Sequence, residues 1–341
     1  MRRSKAIVAA LLIVVLMAGC VQEESKPEEK PKAVTTPTTY SLTTAGGTPG
    51  GVGFAIMTAT MAVASKYYPE ITYSVVPGGW VGNVIRVNTH ELDLAHTTVA
   101  SASLSKKQMG PFEGNPVPEN VRGVFVDQVD NYYYIVARAD FPYDTVDEIA
   151  AAKYPLRVTN QPKGTFAGWL WDEILNMTGM NESTIRALGG SYTRVSWSDA
   201  VALLRDGHVD AILAVSGKKV GWLEELTALR DVKYVSVSEE LANKIMEKYG
   251  LQKVVIPAGT LPKQKNDIMG FSDTGYIIAN KNVPDEVVYK IVKAIIEHPN
   301  EFRESHAMLE TFQLGSRMFE TSPFPLHPGA VKAYKEFGYM S

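Results

Sequence analysis

Gly46-Gly47-Thr48-Pro49-Gly50-Gly51-Val52-Gly53 crowds glycines into a loop that opens a long amphipathic segment. Glycine lets backbone approach a bound group closely, and the first N–H groups of a helix have no partner within it, so such a loop suits a carboxylate or phosphate. Pro77-Gly78-Gly79-Trp80-Val81-Gly82-Asn83 repeats the arrangement after the next β-rich run. Its Asn83 stands where it either donates to a ligand oxygen or caps the helix. A third anion-seeking corner is Gln161-Pro162-Lys163-Gly164-Thr165-Phe166, and a fourth is Ser216-Gly217-Lys218-Lys219 at the end of a strand. The candidate ligand-binding residues are therefore Gly47, Thr48, Gly50, Gly51, Trp80, Asn83, Thr98, Tyr133, Lys163, Gly164, Thr165, Phe166 and Ser216. Backbone N–H groups of the glycine loops, with Asn83, Thr98 and Lys163, would supply donors, and Trp80 and Tyr133 would exclude water.

Other chemistries lack their residues. No Gly-Lys-Ser/Thr closes the first loop, and it lacks the glycine spacing of a dinucleotide fingerprint. There is no Gly-x-Ser-x-Gly elbow and no His-Glu-x-x-His, and the six histidines have no metal-ligand spacing, so neither enzyme activity nor a metal or cofactor is expected. A formal net charge of −3 gives no basic field for nucleic acid.

The elements that must hold these corners alternate between short β-rich runs and amphipathic helices, the pattern of an α/β protein with largely parallel sheets. Strands are expected at Ile71 to Val76, Tyr132 to Arg138, Leu156 to Thr159, Ala211 to Val215, Tyr234 to Val237 and Gly275 to Ala279. Helices are expected at Gly53 to Tyr68, Phe166 to Thr178, Ser198 to Asp206 and Pro284 to His298. Two internal echoes suggest a repeated architecture. Trp80 to Asp93 matches Trp197 to Asp210 in length and ending, and Tyr134 to Pro142 matches Tyr276 to Pro284. Each first echo reads as a helix feeding a strand, and the second pair reads as two crossovers between similar α/β lobes. The expected fold is thus α/β, with two similar lobes and the ligand in the cleft between them.

The chain begins with Arg2, Arg3 and Lys5, an apolar run from Ala6 to Met17, and then Ala18-Gly19-Cys20. That run is too short to span a bilayer and reads as an export signal, after which Cys20, the only cysteine, is placed to accept lipid. Val21 to Thr39 offers Glu, Lys, Pro and Thr and almost nothing to bury, so it reads as a disordered tether. The expected organisation is a lipoprotein signal peptide at 1–20, a tether at 21–39, lobe 1 from 40–130 plus 283–341, and lobe 2 from 131–282.

The order of motifs resembles the TAXI family of solute-binding proteins, which serve TRAP (tripartite ATP-independent periplasmic) transporters. The matching pieces are the Gly46-to-Gly53 loop, Gly78-Gly79-x-x-Gly82-Asn83, Asp206-Gly207-His208-Val209-Asp210-Ala211, Ile256-Pro257-Ala258-Gly259-Thr260 and Pro325-Leu326-His327-Pro328-Gly329-Ala330 with Tyr334 and Glu336. The resemblance implies a two-lobed, periplasmic-binding-protein-like fold, type II-like, closing on glutamate, 2-oxoglutarate or a similar small carboxylate, with a TRAP permease as docking partner. Pro162-Lys163-Gly164-Thr165 and Lys218-Lys219 depart from the family pattern, and both departures favour an anion. The expectation is an extracytoplasmic, lipid-anchored binding protein. A ligand-sensing module reporting to a membrane receptor and an exported enzyme are the alternatives.

Overall fold

Val121 to Arg138 is rich in β-branched and aromatic residues without a proline, and it forms one strand of 18 residues. Its partner Ile268–Asn280 is nearly as long, and these two strands carry the architecture. The computed structural model describes residues 38–217 and 221–341. The expected signal peptide, the lipid site Cys20, the tether up to residue 37, and Lys218 and Lys219 lie outside the described residues.

The first half runs β1 (Tyr40–Ala45), α1 (Val52–Tyr67), β2 (Ile71–Val76), α2 (Trp80–Asn88), β3 (Leu94–Thr98) and α3 (Val99–Lys107) into the long strand β4 (Val121–Arg138). The second half begins with α4 (Val146–Ala151), β5 (Arg157–Asn160), α5 (Phe166–Met177), α6 (Glu182–Ala187), β6 (Ser191–Arg194), α7 (Trp197–Arg205) and β7 (Ala211–Ser216). It continues with α8 (Gly221–Leu229), β8 (Val232–Val235), α9 (Glu239–Tyr249) and β9 (Gln252–Ile256), and the chain returns along β10 (Ile268–Asn280). The helices α10 (Asp285–Glu297), α11 (Pro299–Glu304) and α12 (Pro328–Glu336) complete it. All ten strands form one sheet, ordered β2-β1-β3-β10-β4-β7-β5-β6, with β8 on β4 and β9 on β10.

The two echoes meet at equivalent joints. Asp93 accepts the Thr43 N–H at 2.8 Å and returns its own N–H to the Thr43 carbonyl, while Asn280 N–H donates to the Asp93 carbonyl. In the second half, Asp210 accepts the Arg157 N–H at 2.8 Å and returns its N–H to Arg157, while Arg138 N–H donates to the Asp210 carbonyl. Each aspartate therefore locks the strand after its helix to the first strand of its half and to the end of a crossover strand. Asp210 is fully buried and also holds the Arg157 guanidinium at 2.6 Å, so its charge is both hydrogen-bonded and paired.

The long strands bend where the halves meet. Gln128 takes a left-handed φ of 61°, and the β10–β4 register slips between Thr274 and Tyr276, which marks a bulge. Gly275 is required there, because a Cβ would stand 2.3 Å from Asp127 Oδ2. Beyond it, Gly275 to Ala279 pairs with Thr98 to Leu94 of β3, so the end of β10 belongs to the first half of the sheet. Sequence patterning identified only the outer ends of both strands, which are apolar runs, and missed the stretches interrupted by Gly123, Asp127, Gln128 and Asp130 in β4 and by Gly270, Ser272 and Asp273 in β10. The strand expected at Tyr234 to Val237 sits two residues earlier, since Ser236 leaves the ladder to pair with Asp144 and Val146.

Amphipathic α10 buries Val287, Val288, Ile291, Val292 and Ile295 with Ile56, Met57 and Met61 of α1, which fixes α1 against the first half. A second core runs through both halves, joining Trp80, Val81 and Val84 of α2 to Tyr133 of β4 and to Phe166 and Leu170 of α5. Among the described residues no helix is long and apolar enough to cross a membrane.

Candidate functional site

Helix α1 begins at Gly51 and α2 at Gly79, and neither has a side-chain cap. Their first N–H groups therefore keep no partner of the kind that Thr165 gives α5 and Ser196 gives α7. Both open helix starts border one cavity of about 440 Å³ between the halves of the sheet. Two glycine loops can lie side by side because the backbones bond directly: Gly78 N–H donates to the Gly47 carbonyl at 3.1 Å.

Of the residues expected to bind ligand, the structure brings Gly47, Thr48, Gly50, Gly51, Trp80, Thr165, Phe166 and Ser216 to the cavity wall. The others stand elsewhere. Asn83 is fully buried behind the loops, and its amide donates to the Gly46 carbonyl at 2.7 Å and the His96 carbonyl at 2.8 Å. Both of its N–H groups are consumed in positioning the first loop on β3. Thr98 caps α3 by accepting the Ser101 N–H, so its hydroxyl serves that helix. Tyr133 is buried behind Phe166, with ring centroids 5.7 Å apart. Lys163 and Gly164 are both exposed and outside the wall. The Gly164 carbonyl accepts the Gly82 N–H at 3.0 Å, a bond that joins the two sides of the cleft. Gly79 makes room for it, since a Cβ there would lie 2.5 Å from that carbonyl oxygen.

Several wall residues escaped the sequence reading. Trp197 and Trp222 meet edge to face, with centroids 4.8 Å apart and rings 82° to each other. Trp197 had a signal, because it holds the position in the second echo that Trp80 holds in the first. Gln161 stood in the third anion-seeking corner without being singled out, and Trp222, His306 and Met308 had no signal, since they are single residues on separate elements joined only by folding. Burial holds the His306 imidazole below its ordinary pKa and so favours its neutral form, and its Nδ1 accepts the Met308 N–H. Met308 reaches the other side of the cleft, where a Cβ on Gly217 would stand 2.6 Å from its Cε.

The chain belongs to the NMT1-like family, which matches residues 44–338. Two solved structures show the fold. MatC from Rhodopseudomonas palustris, with bound malate, is 16% identical with a TM-score of 0.51, covering 89% of this chain and 98% of that one. PhnD1 from Prochlorococcus marinus, in complex with methylphosphonate, is 14% identical with a TM-score of 0.50, covering 88% and 99%. The fold is thus the two-lobed one of periplasmic solute-binding proteins.

A buried polar cluster occupies the bend between the halves. His96 Nε2 lies 2.8 Å from Asp127 Oδ2, and Asp127 Oδ1 accepts the Val129 N–H. Asp273 accepts N–H groups of Ala100 and Thr274 on one oxygen, while its other oxygen has no partner. Asn131 stands directly opposite Asp273 in the ladder, and its Oδ1 also lacks a donor. A proton on Asp273 would give this buried position a donor opposite Asn131. Burial, with Asp127 nearby, pushes the Asp273 carboxyl up to about 7. The folded protein thus retains a proton that the unfolded chain, with an ordinary carboxyl near 3.8, has lost. Stability should therefore fall as pH rises through this window, by about 1.4 kcal/mol per pH unit while the two states differ by one proton. Asp273→Asn keeps the accepting oxygen and supplies an N–H toward Asn131. Urea unfolding at pH 5 and pH 8 should show the variant gaining on the parent at pH 8, with the gap narrowing toward pH 5. Equal slopes in the two proteins would contradict a buried neutral acid.

Proposed function

We propose that this chain is an extracytoplasmic solute-binding protein that closes around a small carboxylate and delivers it to a TRAP permease. The observation that carries the reading is the pair of glycine-started helices, α1 and α2, whose starts lack a side-chain cap and border a single interlobe cavity. Among the described residues, only the Gly82 N–H of their first N–H groups is taken up, by the Gly164 carbonyl. Such N–H groups complement a carboxylate through charge-assisted hydrogen bonds, each contributing roughly 1.5–3 kcal/mol. Malate and methylphosphonate, bound by the two structural neighbours, are anions as well. We place the lobe boundary at the bend, Asp127 to Asn131 in β4 and Asp273 to Gly275 in β10, where a few residues can absorb opening and closing.

Binding without turnover is supported by the wall itself. Among the described residues, Ser216 meets the hydroxyl of Tyr134 and His306 meets a backbone N–H, so neither hydroxyl nor imidazole forms a nucleophile–base pair. The TAXI motifs support TRAP delivery, and the N-terminal export pattern supports a lipid anchor at Cys20. Lipid adds about 0.8 kcal/mol per buried CH₂, so a multiply acylated Cys20 would hold the protein on the membrane.

Two experiments test this reading. Cys20→Ser should move the protein from the membrane fraction to the soluble one, and unchanged membrane fractionation would end the anchor. Mass spectrometry of ligand retained through mild purification, followed by calorimetry, should return a carboxylate. Gly79→Val, which places side chain against the Gly164 carbonyl, should weaken its binding tenfold or more. Tight binding of a neutral sugar with failure of every carboxylate would overturn the function.

A further inference from the structure

Among the described residues, the wall of the cavity is uncharged. Among the described residues it carries no Lys, Arg, Asp or Glu, and its one titratable group, His306, is held toward the neutral form. Among the described wall residues, a bound ammonium group would meet no carboxylate, and a second carboxylate would meet no cation beyond the helix starts. Either group would be buried unpaired at considerable cost. The sides of the cavity also differ. On the first half stand the open starts of α1 and α2 with Trp80, whose Nε1–H has no partner among the described residues and lies against the Cα of Gly53 on the wall. Trp80 is only 7% exposed. On the second half stand the edge-to-face pair Trp197 and Trp222, with Phe166, and Met308 also lines the wall. Gln161 sits at the junction, 8% exposed, and its carboxamide is the neutral polar group available on that side.

From this asymmetry we infer that the ligand is an organic monoanion, a single carboxylate on a branched aliphatic or aryl body, and neither an amino acid nor a dicarboxylate. The inference rests on the carboxylate-binding reading above and narrows it. The carboxylate faces the helix starts of α1 and α2. Its body fills the aromatic side, and a polar group next to the carboxylate, such as a 2-oxo oxygen, can meet the Gln161 amide. The tryptophan pair favours an apolar body over a quaternary ammonium, because the edge of one indole already covers a face of the other.

Calorimetry on the full chain with defined probes tests this. Phenylacetate and 4-methyl-2-oxopentanoate should bind at least tenfold more tightly than glutamate, 2-oxoglutarate or glycine betaine. Trp222→Ala should weaken both tenfold or more, and Trp222→Phe should restore most of the loss. The sequence sets Lys218 and Lys219 beside the wall residue Gly221. Replacing both by Ala should change affinity less than twofold if the helix starts suffice. Tighter binding of glutamate, 2-oxoglutarate or glycine betaine would leave a carboxylate-binding protein standing and sink the monoanion class. A tenfold loss in the double-lysine variant would overturn the uncharged cradle. Failure of every probe would overturn the inference as well. Equal binding of phenylacetamide and phenylacetate would strike instead at the carboxylate reading on which it rests.

Discussion

The Asn83 carboxamide, sealed from water between the Gly46 and His96 carbonyls, is the contact on which the site's geometry depends. It joins the first glycine loop, the second helix and the third strand through one side chain. With that joint made, α1 and α2 start side by side, and the N–H groups that glycine leaves uncapped face the same space. A Ser or Asp at Gly51 would satisfy those groups from within and stabilise the helix by roughly a few tenths of a kcal/mol over glycine, whereas at Gly79 a Cβ would lie 2.5 Å from the Gly164 carbonyl oxygen. The chain leaves the two helices that border the cavity from the first half without a side-chain cap, yet caps α5 and α7 on the opposite side. This division gives the cavity an anion-seeking side without any charged side chain among the described residues.

The bend in β4 and β10 connects the cavity to the rest of the sheet. Trp80 lies on the wall, its ring centroid 5.7 Å from that of His96, and His96 meets Asp127 at the left-handed kink beside Gln128. Only Gly53 lets the indole and imidazole nitrogens come so near α1, since a Cβ would stand 2.6 Å from one and 2.8 Å from the other. The same residues thus shape the wall and pack against the point where the halves change direction. The joints at Asp93 and Asp210 keep each half rigid on either side of it.

Local patterns in the sequence carried much of this. Glycines before amphipathic runs marked both open helix starts, and the matched segments ending at Asp93 and Asp210 exposed the repeat, because both signals are written in consecutive residues. What the sequence could not supply was direction. Lys163 and Asn83 have the right chemistry for an anion, but the turn at Gly164 sends the lysine to solvent and the buried carbonyls absorb the asparagine. The aromatic side of the cavity was hidden for a different reason. Trp197, Trp222 and Met308 are separated along the chain and converge only when the sheet and the C-terminal segment are assembled.

The central claim is that the ligand's negative charge rests on the free N–H groups that start α1 and α2. Amide-resolved NMR of the full chain, titrated with 4-methyl-2-oxopentanoate, tests it most directly. The account predicts the largest downfield amide shifts at Val52, Gly53, Trp80 and Val81, where new hydrogen bonds to the carboxylate form. Largest shifts at the starts of α5 or α8, with those four amides unmoved, would contradict it.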